Sequence, residues 1–200
     1  MIITDIFKKK GTRYQLEVDS EYWTILDIEI IADFHLKKGM EITEELKEEV
    51  QKAADYRRGK EYALYLLGYR DHCRKELVQK LTKKLDVSVA TKIADRMEEL
   101  NLLDDKRYAE KFAKYLMTVK RRGPHRVLQE MTLKGIDKET AKEAIASVEI
   151  EGNPILELIE KKYLKKLNDE QGKNKVIAAL LRQGHSYSDI IDAINSFLEE

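Results

Sequence analysis

The stretch "HRVLQEMTLKGIDKETAKEAI", residues 125–145, is echoed at residues 174–194 as "NKVIAALLRQGHSYSDIIDAI". Few side chains are identical, yet the apolar positions and the turn chemistry coincide. Val127 and Met131 correspond to Val176 and Leu180, each pair four residues apart on one helix face. Gly135 and Gly184 follow, where a left-handed residue ends a helix at little steric cost. Asp137 and Ser186 then suit the N-cap of the next helix. In that helix Ala141, Ala144, Ile145 and Val148 match Ile190, Ala193, Ile194 and Phe197.

A third, degenerate copy stands upstream. Leu77 and Leu81 take the apolar positions, Lys84 stands where glycine would, and Asp86 keeps the cap. An amphipathic segment precedes each copy, at Glu61–Tyr69, Lys106–Val119 and Pro154–Leu167. In the second of these, Tyr108, Phe112, Tyr115, Leu116 and Val119 make one helical stripe. Val89, Ile93, Met97 and Leu100 make another, and Ile190, Ile194, Phe197 and Leu198 a third. Three units of three helices at a period of about 50 residues define a tandem array, expected to be elongated because each unit buries its apolar face on itself and its neighbours.

Residues 1–43 follow a different period. In "GTRYQLEVDSEYWTIL", Tyr14, Leu16 and Val18 alternate with Arg13, Gln15, Glu17 and Asp19, as in a half-buried strand. The polar "DSE" turn leads to a second strand at Tyr22–Ile25, with a third expected over Ile2–Lys8. A short helix around Asp27–Phe34 comes next, closed by Lys37–Gly39, and Thr43 suits the N-cap of a charged helix from Glu44. The expected fold is therefore mainly α, an elongated array of three tandem three-helix repeats with a small N-terminal β-hairpin or sheet extension. Its segments are 1–43 (hairpin and short helix), 44–103 (linker helix and repeat one), 104–151 (repeat two) and 152–200 (repeat three).

Composition suits such an array. The chain has 200 residues, 42% apolar and 37% charged, well above the charged share of about 25% in an average domain. Lys+Arg and Asp+Glu are both 37, so net charge does not single out a nucleic-acid partner. One cysteine excludes an internal disulfide and a multi-thiolate zinc site. The N-terminus lacks the apolar stretch of a secretory signal, and no run approaches a membrane span, so a soluble cytoplasmic protein is expected.

No catalytic, metal or cofactor pattern stands out. His35, His72, His125 and His185 fall at or near turns without metal-ligand spacing and are expected to be solvated. Asp104 and Asp105 sit where a helix begins, as an N-cap and a first-turn acid. Cys73 and Glu76 in "RDHCRKEL" make a near capping box. Cys73 is either a tolerated substitution or a reactive thiol, its pKa lowered by Arg70, Arg74 and the helix N-terminus.

Local charge is more telling. Residues 114–134 carry Lys114, Lys120, Arg121, Arg122, Arg126 and Lys134 against Glu130 alone. Four of these crowd the Gly123-Pro124 turn at a helix N-terminus, where phosphate or carboxylate groups are attracted. The alternative is a solvated charged turn.

The phrases "YALYLLGYRDHCRKELVQKLTKKL", "LNLLDDKRYAEKFAKYL" and "KRRGPHRVLQEMTLKGI", in this order after a hairpin, resemble the RecX family of bacterial recombination regulators. That family reads A-x-x-L-L-x-x-R-x-x-S-x-x-E-L, then L-D-D-x-x-Y/F-A, then R-x-x-G-x-x-R-I-x-x-E-L-x-x-K-G-I. This chain departs from it at Cys73 for serine, Lys84 for glycine and Met131 for leucine. The resemblance implies a non-enzymatic, monomeric regulator of DNA repair, recombination and the SOS response. Such a protein binds RecA and RecA–DNA filaments, lies in the filament groove, and inhibits ATP hydrolysis, strand exchange and co-protease activity. Some members bind DNA directly. The contacts expected here are Lys120, Arg121, Arg122, Arg126 and Lys134, with Arg70, Arg74 and Lys75 in repeat one. Two other readings remain open: a helical DNA-binding module acting without RecA, and a scaffold for another protein.

Overall fold

The N-terminal sheet has the order β1 (Ile3–Lys8), β2 (Arg13–Val18), β3 (Glu21–Asp27), antiparallel throughout, in a computed structural model that describes residues 1–199. Asp19 and Ser20 form the two-residue turn between β2 and β3, both left-handed at φ 51° and 67°, a conformation better suited to Asn-Gly. Each has a compensating bond. The Asp19 carboxylate accepts from Ile2 N–H at 2.8 Å, and Ser20 N–H donates to Thr4 Oγ1 at 2.9 Å. The alternation predicted for β2 holds, with Leu16 and Val18 buried.

Asp27 ends β3 and caps α1 (Ile28–Asp33), accepting from Glu29 N–H. Thr43 caps α2 (Glu44–Tyr69), accepting from Leu46 N–H. This 26-residue helix is continuous, so the linker helix and the first helix of repeat one are a single element. Val50 and Ala54, in its first half, join Ile3, Leu16, Leu26 and Ile30 in the core under the sheet. Further along, α2 packs on α4 (Val87–Glu99). Gly59 permits the close crossing: a Cβ there would run into the side chains of Ile93 and Leu85. In α4 the buried stripe is Ala90, Ile93, Ala94 and Met97, whereas Val89 is half-buried and Leu100 is 40% exposed. The buried face therefore includes the two small residues Ala90 and Ala94 and excludes Leu100, a shift of the predicted stripe.

The chain divides into two compact units. One comprises residues 1–70 and 77–100; the other runs from Asp71 to Glu76 and from Asn101 onward. α3 (Arg74–Leu81) therefore contributes residues to both.

The second unit holds two helical triplets. The first is α5 (Asp105–Lys114), α6 (Pro124–Leu133) and α7 (Lys138–Ala146), closed over Tyr108, Ala109, Leu116, Val127, Met131 and Ala141. The next is α8 (Pro154–Leu158), α9 (Glu170–Arg182) and α10 (Tyr187–Glu199), over Ile155, Leu158, Ile159, Val176, Leu180 and Ile190. Phe197 packs against this core, and the side chain of Leu198 lies outside the described residues. The predicted caps are present. Gly135 and Gly184 are left-handed at φ 86° and 91°, with Asp137 capping α7 and Ser186 Oγ accepting from Asp189 N–H.

One device unites the two triplets. α5 runs on into a π-helical turn at Tyr115–Val119, and α8 does the same at Ile159–Tyr163. A π turn inserts an extra residue and shifts the helix phase by about 100°. Within the first of these turns, Met117 is buried while Tyr115 and Val119 are 44% and 65% exposed. The predicted stripe over Tyr108–Val119 thus breaks at its last turn.

Candidate functional site

The turn between α5 and α6 is built around Arg121, which holds φ at 52°. Two contacts fix it there. Its guanidinium Nη2 donates to both Glu157 carboxylate oxygens, at 3.0 and 2.8 Å, and its carbonyl lies 3.1 Å from His185 Nε2. Backbone bonds join the same turn to the end of α9: Gly123 N–H donates to Gln183 O at 2.9 Å and His125 N–H to Gly184 O at 3.1 Å. No Cβ fits between the two glycines.

The start of α3 is seated in a parallel way on the end of α6. The Cys73 thiol donates to Lys134 O at 3.2 Å, and Lys75 Nζ donates to Leu133 O at 3.0 Å. The aliphatic stem of Lys75 lies where a Gly135 side chain would be. Asp105, in the first turn of α5, accepts from Arg74 N–H at 2.7 Å and so helps cap α3. In both places the first turn of a triplet's middle helix grips the glycine cap that ends the middle helix of the following triplet.

These contacts redefine the predicted cation set. Lys120, Arg121, Arg122 and Arg126 do share one turn. Arg74, Lys75 and Lys134 gather at the other junction, and Arg70 stands at the end of α2 in the first unit. Most are already engaged. Arg121 is spent on Glu157, and Arg126 bonds Glu130 at 2.9 Å and Gln129 at 3.1 Å. Lys134 pairs with Glu76 and stands over the Tyr108 and Phe112 rings at 5.7 and 5.2 Å. Burial alone would lower the Lys134 pKa; the bonds to Glu76 and Tyr108 outweigh it and hold the ammonium above its usual value. Arg70 and Arg74 have interactions of their own. Lys120 lies over the Tyr115 ring at 5.5 Å, and neither it nor Arg122 has an ion pair among the described residues. Beside this turn, an open cleft of about 950 Å³ is lined by Lys111, Lys114 and Arg121 together with Glu110, Glu149, Glu151 and Glu157.

Two expectations are corrected. Cys73 is fully buried, and burial pushes its thiol pKa up instead of down; the Glu76 N–H it accepts only partly offsets that. It is a cap, as the box predicted, and not a poised nucleophile. His72 and His185 are 3% and 5% exposed, so neither is a solvated turn residue. The reason is tertiary: the His185 turn is covered by the α5–α6 turn.

His185 gives the second unit a pH dependence. Burial lowers its pKa below the usual 6.5, despite the opposing effects of the Arg121 carbonyl and Asp189. The unfolded chain therefore takes up a proton that the folded chain refuses. Stability is full above pH 6.5 and falls as the pH drops below it. Urea melts at pH 7.5 and 5.5 should show this loss, and His185→Gln should remove most of it; an equal loss in the variant would clear His185 of the effect.

Tandem three-helix units whose charged turns also lock neighbouring helices define a helical repeat protein. The comparisons assign the family. Residues 60–97 match the model of the first three-helix domain of RecX, and residues 104–145 that of the second. The regulatory protein RecX of Streptococcus sanguinis is 31% identical over 191 residues, which span 94% of this chain and 74% of that protein. RecX of Bacillus subtilis is 31% identical over 200 residues, and that of Clostridioides difficile 28% over 203, covering 96% of the latter's length. A crystal structure of RecX from Lactobacillus salivarius superposes with a TM-score of 0.64 at 28% identity, over 72% of this chain and 97% of that one. A further RecX crystal structure, 23% identical, shares the fold with a TM-score of 0.70 over 96% of this chain and 98% of that one. This chain belongs to the RecX family. The relatives are named regulatory proteins, and no described helix here is long and apolar enough to cross a membrane.

Proposed function

We propose that this chain is a cytoplasmic, monomeric regulator that binds RecA and RecA–DNA filaments without chemistry of its own. It lies in the filament groove and inhibits ATP hydrolysis, strand exchange and co-protease activity. Kinship at 31% identity across 94% of the chain carries the reading. The three helical units, 44–103, 104–151 and 152–200, offer successive subsites. Once one is engaged, the rest gain from effective concentration. Lys120 and Arg122, with Lys114 beside them, supply charge for RecA carboxylates or DNA phosphates; Arg121, Arg126 and Lys134 shape the turns that present it.

The test titrates RecA-driven ATP hydrolysis with this chain and with a Lys114→Glu, Lys120→Glu, Arg122→Glu variant. Losing three rim charges should raise the inhibitory concentration by about tenfold, at an unchanged circular dichroism spectrum. Unaltered potency would remove the turn from the contact surface. Tight, salt-dependent binding to bare duplex with no effect on RecA would replace the reading with a DNA-binding module.

A further inference from the structure

The outer face of α2 carries an aromatic ladder that no fold requirement explains. Arg58, Tyr62, Tyr65 and Tyr69 are spaced i, i+4, i+7 and i+11, so they share one stripe of the helix. Tyr65 and Tyr69 are 70% and 83% exposed, while Ala63 and Leu66 hold the buried side. The Tyr62 and Tyr65 rings are stacked within 14° of parallel, their centroids 6.5 Å apart. From the turn after α3, the Lys84 ammonium stands 5.4 Å from the Tyr62 centroid, and Lys83 beside it is exposed. The foot of the ladder opens on a hollow of about 370 Å³ between Gly59, Tyr62, Leu81 and Leu85, edged by Arg58 and Lys84. Asp55, the carboxylate among the described residues lining the hollow, is paired with Arg58 at 2.6 Å. All these residues belong to the first compact unit.

Flat rings presented in series beside lysines fit a ligand that is also a series of flat rings, linked by anions. We propose that this face is a stacking platform for single-stranded nucleic acid, with bases laid on Tyr65 and Tyr69 and phosphates drawn to Lys83 and Lys84. A duplex does not fit, because its bases are already stacked on one another. An apolar protein segment fits less well, because Lys84 stands against the Tyr62 ring and Lys83 is exposed beside it, although Leu81 and Leu85 line the hollow at the foot. The site belongs to the first compact unit and the charged turn to the second, and the inference does not depend on RecA.

Fluorescence anisotropy of a labelled oligo-dT strand with the full chain, RecA absent, tests it. Each ring removed should cost on the order of tenfold in affinity, so Tyr65→Ala with Tyr69→Ala should weaken binding by about a hundredfold. Both side chains are exposed, and the circular dichroism spectrum should not change. Tyr65→Phe with Tyr69→Phe keeps the rings and should bind within about twofold of the parent. An abasic strand of equal length should bind the parent no better than oligo-dT binds the alanine variant. Lys83→Gln with Lys84→Gln should flatten the salt dependence by about 0.7 in log–log slope per cation lost. Equal affinity of parent and alanine variant, equal binding of the abasic strand, or no strand binding at all would each overturn the proposal. Since RecA is absent, none of these results bears on RecA inhibition.

Discussion

Gly184→Ala should destabilise the second unit by about 3 kcal/mol, far more than loss of a flexible surface glycine. Two costs combine. The residue sits at φ 91°, and a left-handed conformation costs an L-residue about 1–2 kcal/mol. In addition, the new methyl would drive into the backbone nitrogen and Cβ of Arg126, in the first turn of α6. Relief requires the α5–α6 turn to withdraw from α9. That breaks the bonds from Gly123 N–H to Gln183 O and from His125 N–H to Gly184 O, and exposes His185. Gly11→Ala is the matched control, since Gly11 has φ 64° but nothing within 4 Å of the added atom; it should lose only about 1 kcal/mol. Urea melts followed by circular dichroism measure both. Similar losses in the two variants would mean that the glycine-to-glycine seating contributes nothing.

Lys134→Ala should lose about 2 kcal/mol, although sequence alone marks Lys134 as a surface contact for a partner. The variant removes the Lys134–Glu76 pair, whose two side chains are only 26% and 20% exposed. Breaking a fully buried pair costs about 3–5 kcal/mol, and partial solvent access at this site reduces that figure. The ammonium also leaves the Tyr108 and Phe112 rings, worth roughly 0.5–1 kcal/mol. Lys134→Met keeps the aliphatic stem against those rings and should recover part of the loss. A Lys134→Ala protein as stable as the parent, but weaker against RecA, would return Lys134 to the contact surface.

Both cases show why the charged turns could be located in the sequence but their duties could not. The cluster at residues 120–126 is visible as a run of like charges. The carboxylate that takes Arg121 is 36 positions further on, and the one that takes Lys134 is 58 positions back. Nothing local distinguishes a cation offered to a partner from one that closes a junction. The same blindness covers His185, whose neighbours are polar but whose turn is roofed by another triplet. The tyrosine ladder is the reverse case. Its spacing was legible in α2, yet only exposure separates a ladder facing water from a stripe facing a core.

By itself the sequence determined the N-terminal strands, the three copies of the helical phrase, the glycine ends of the second and third, the Asp86, Asp137 and Ser186 caps, and the family. Each is written in near neighbours, through side-chain period and through residues whose backbone preferences act on the spot. Tertiary structure decided the rest: the phase shift after the π-helical turns, the alanine face of α4, the burial of Cys73, His72 and His185, and which cations remain available. Those depend on groups far apart in the chain, and their free energies exist only once the helices are in contact.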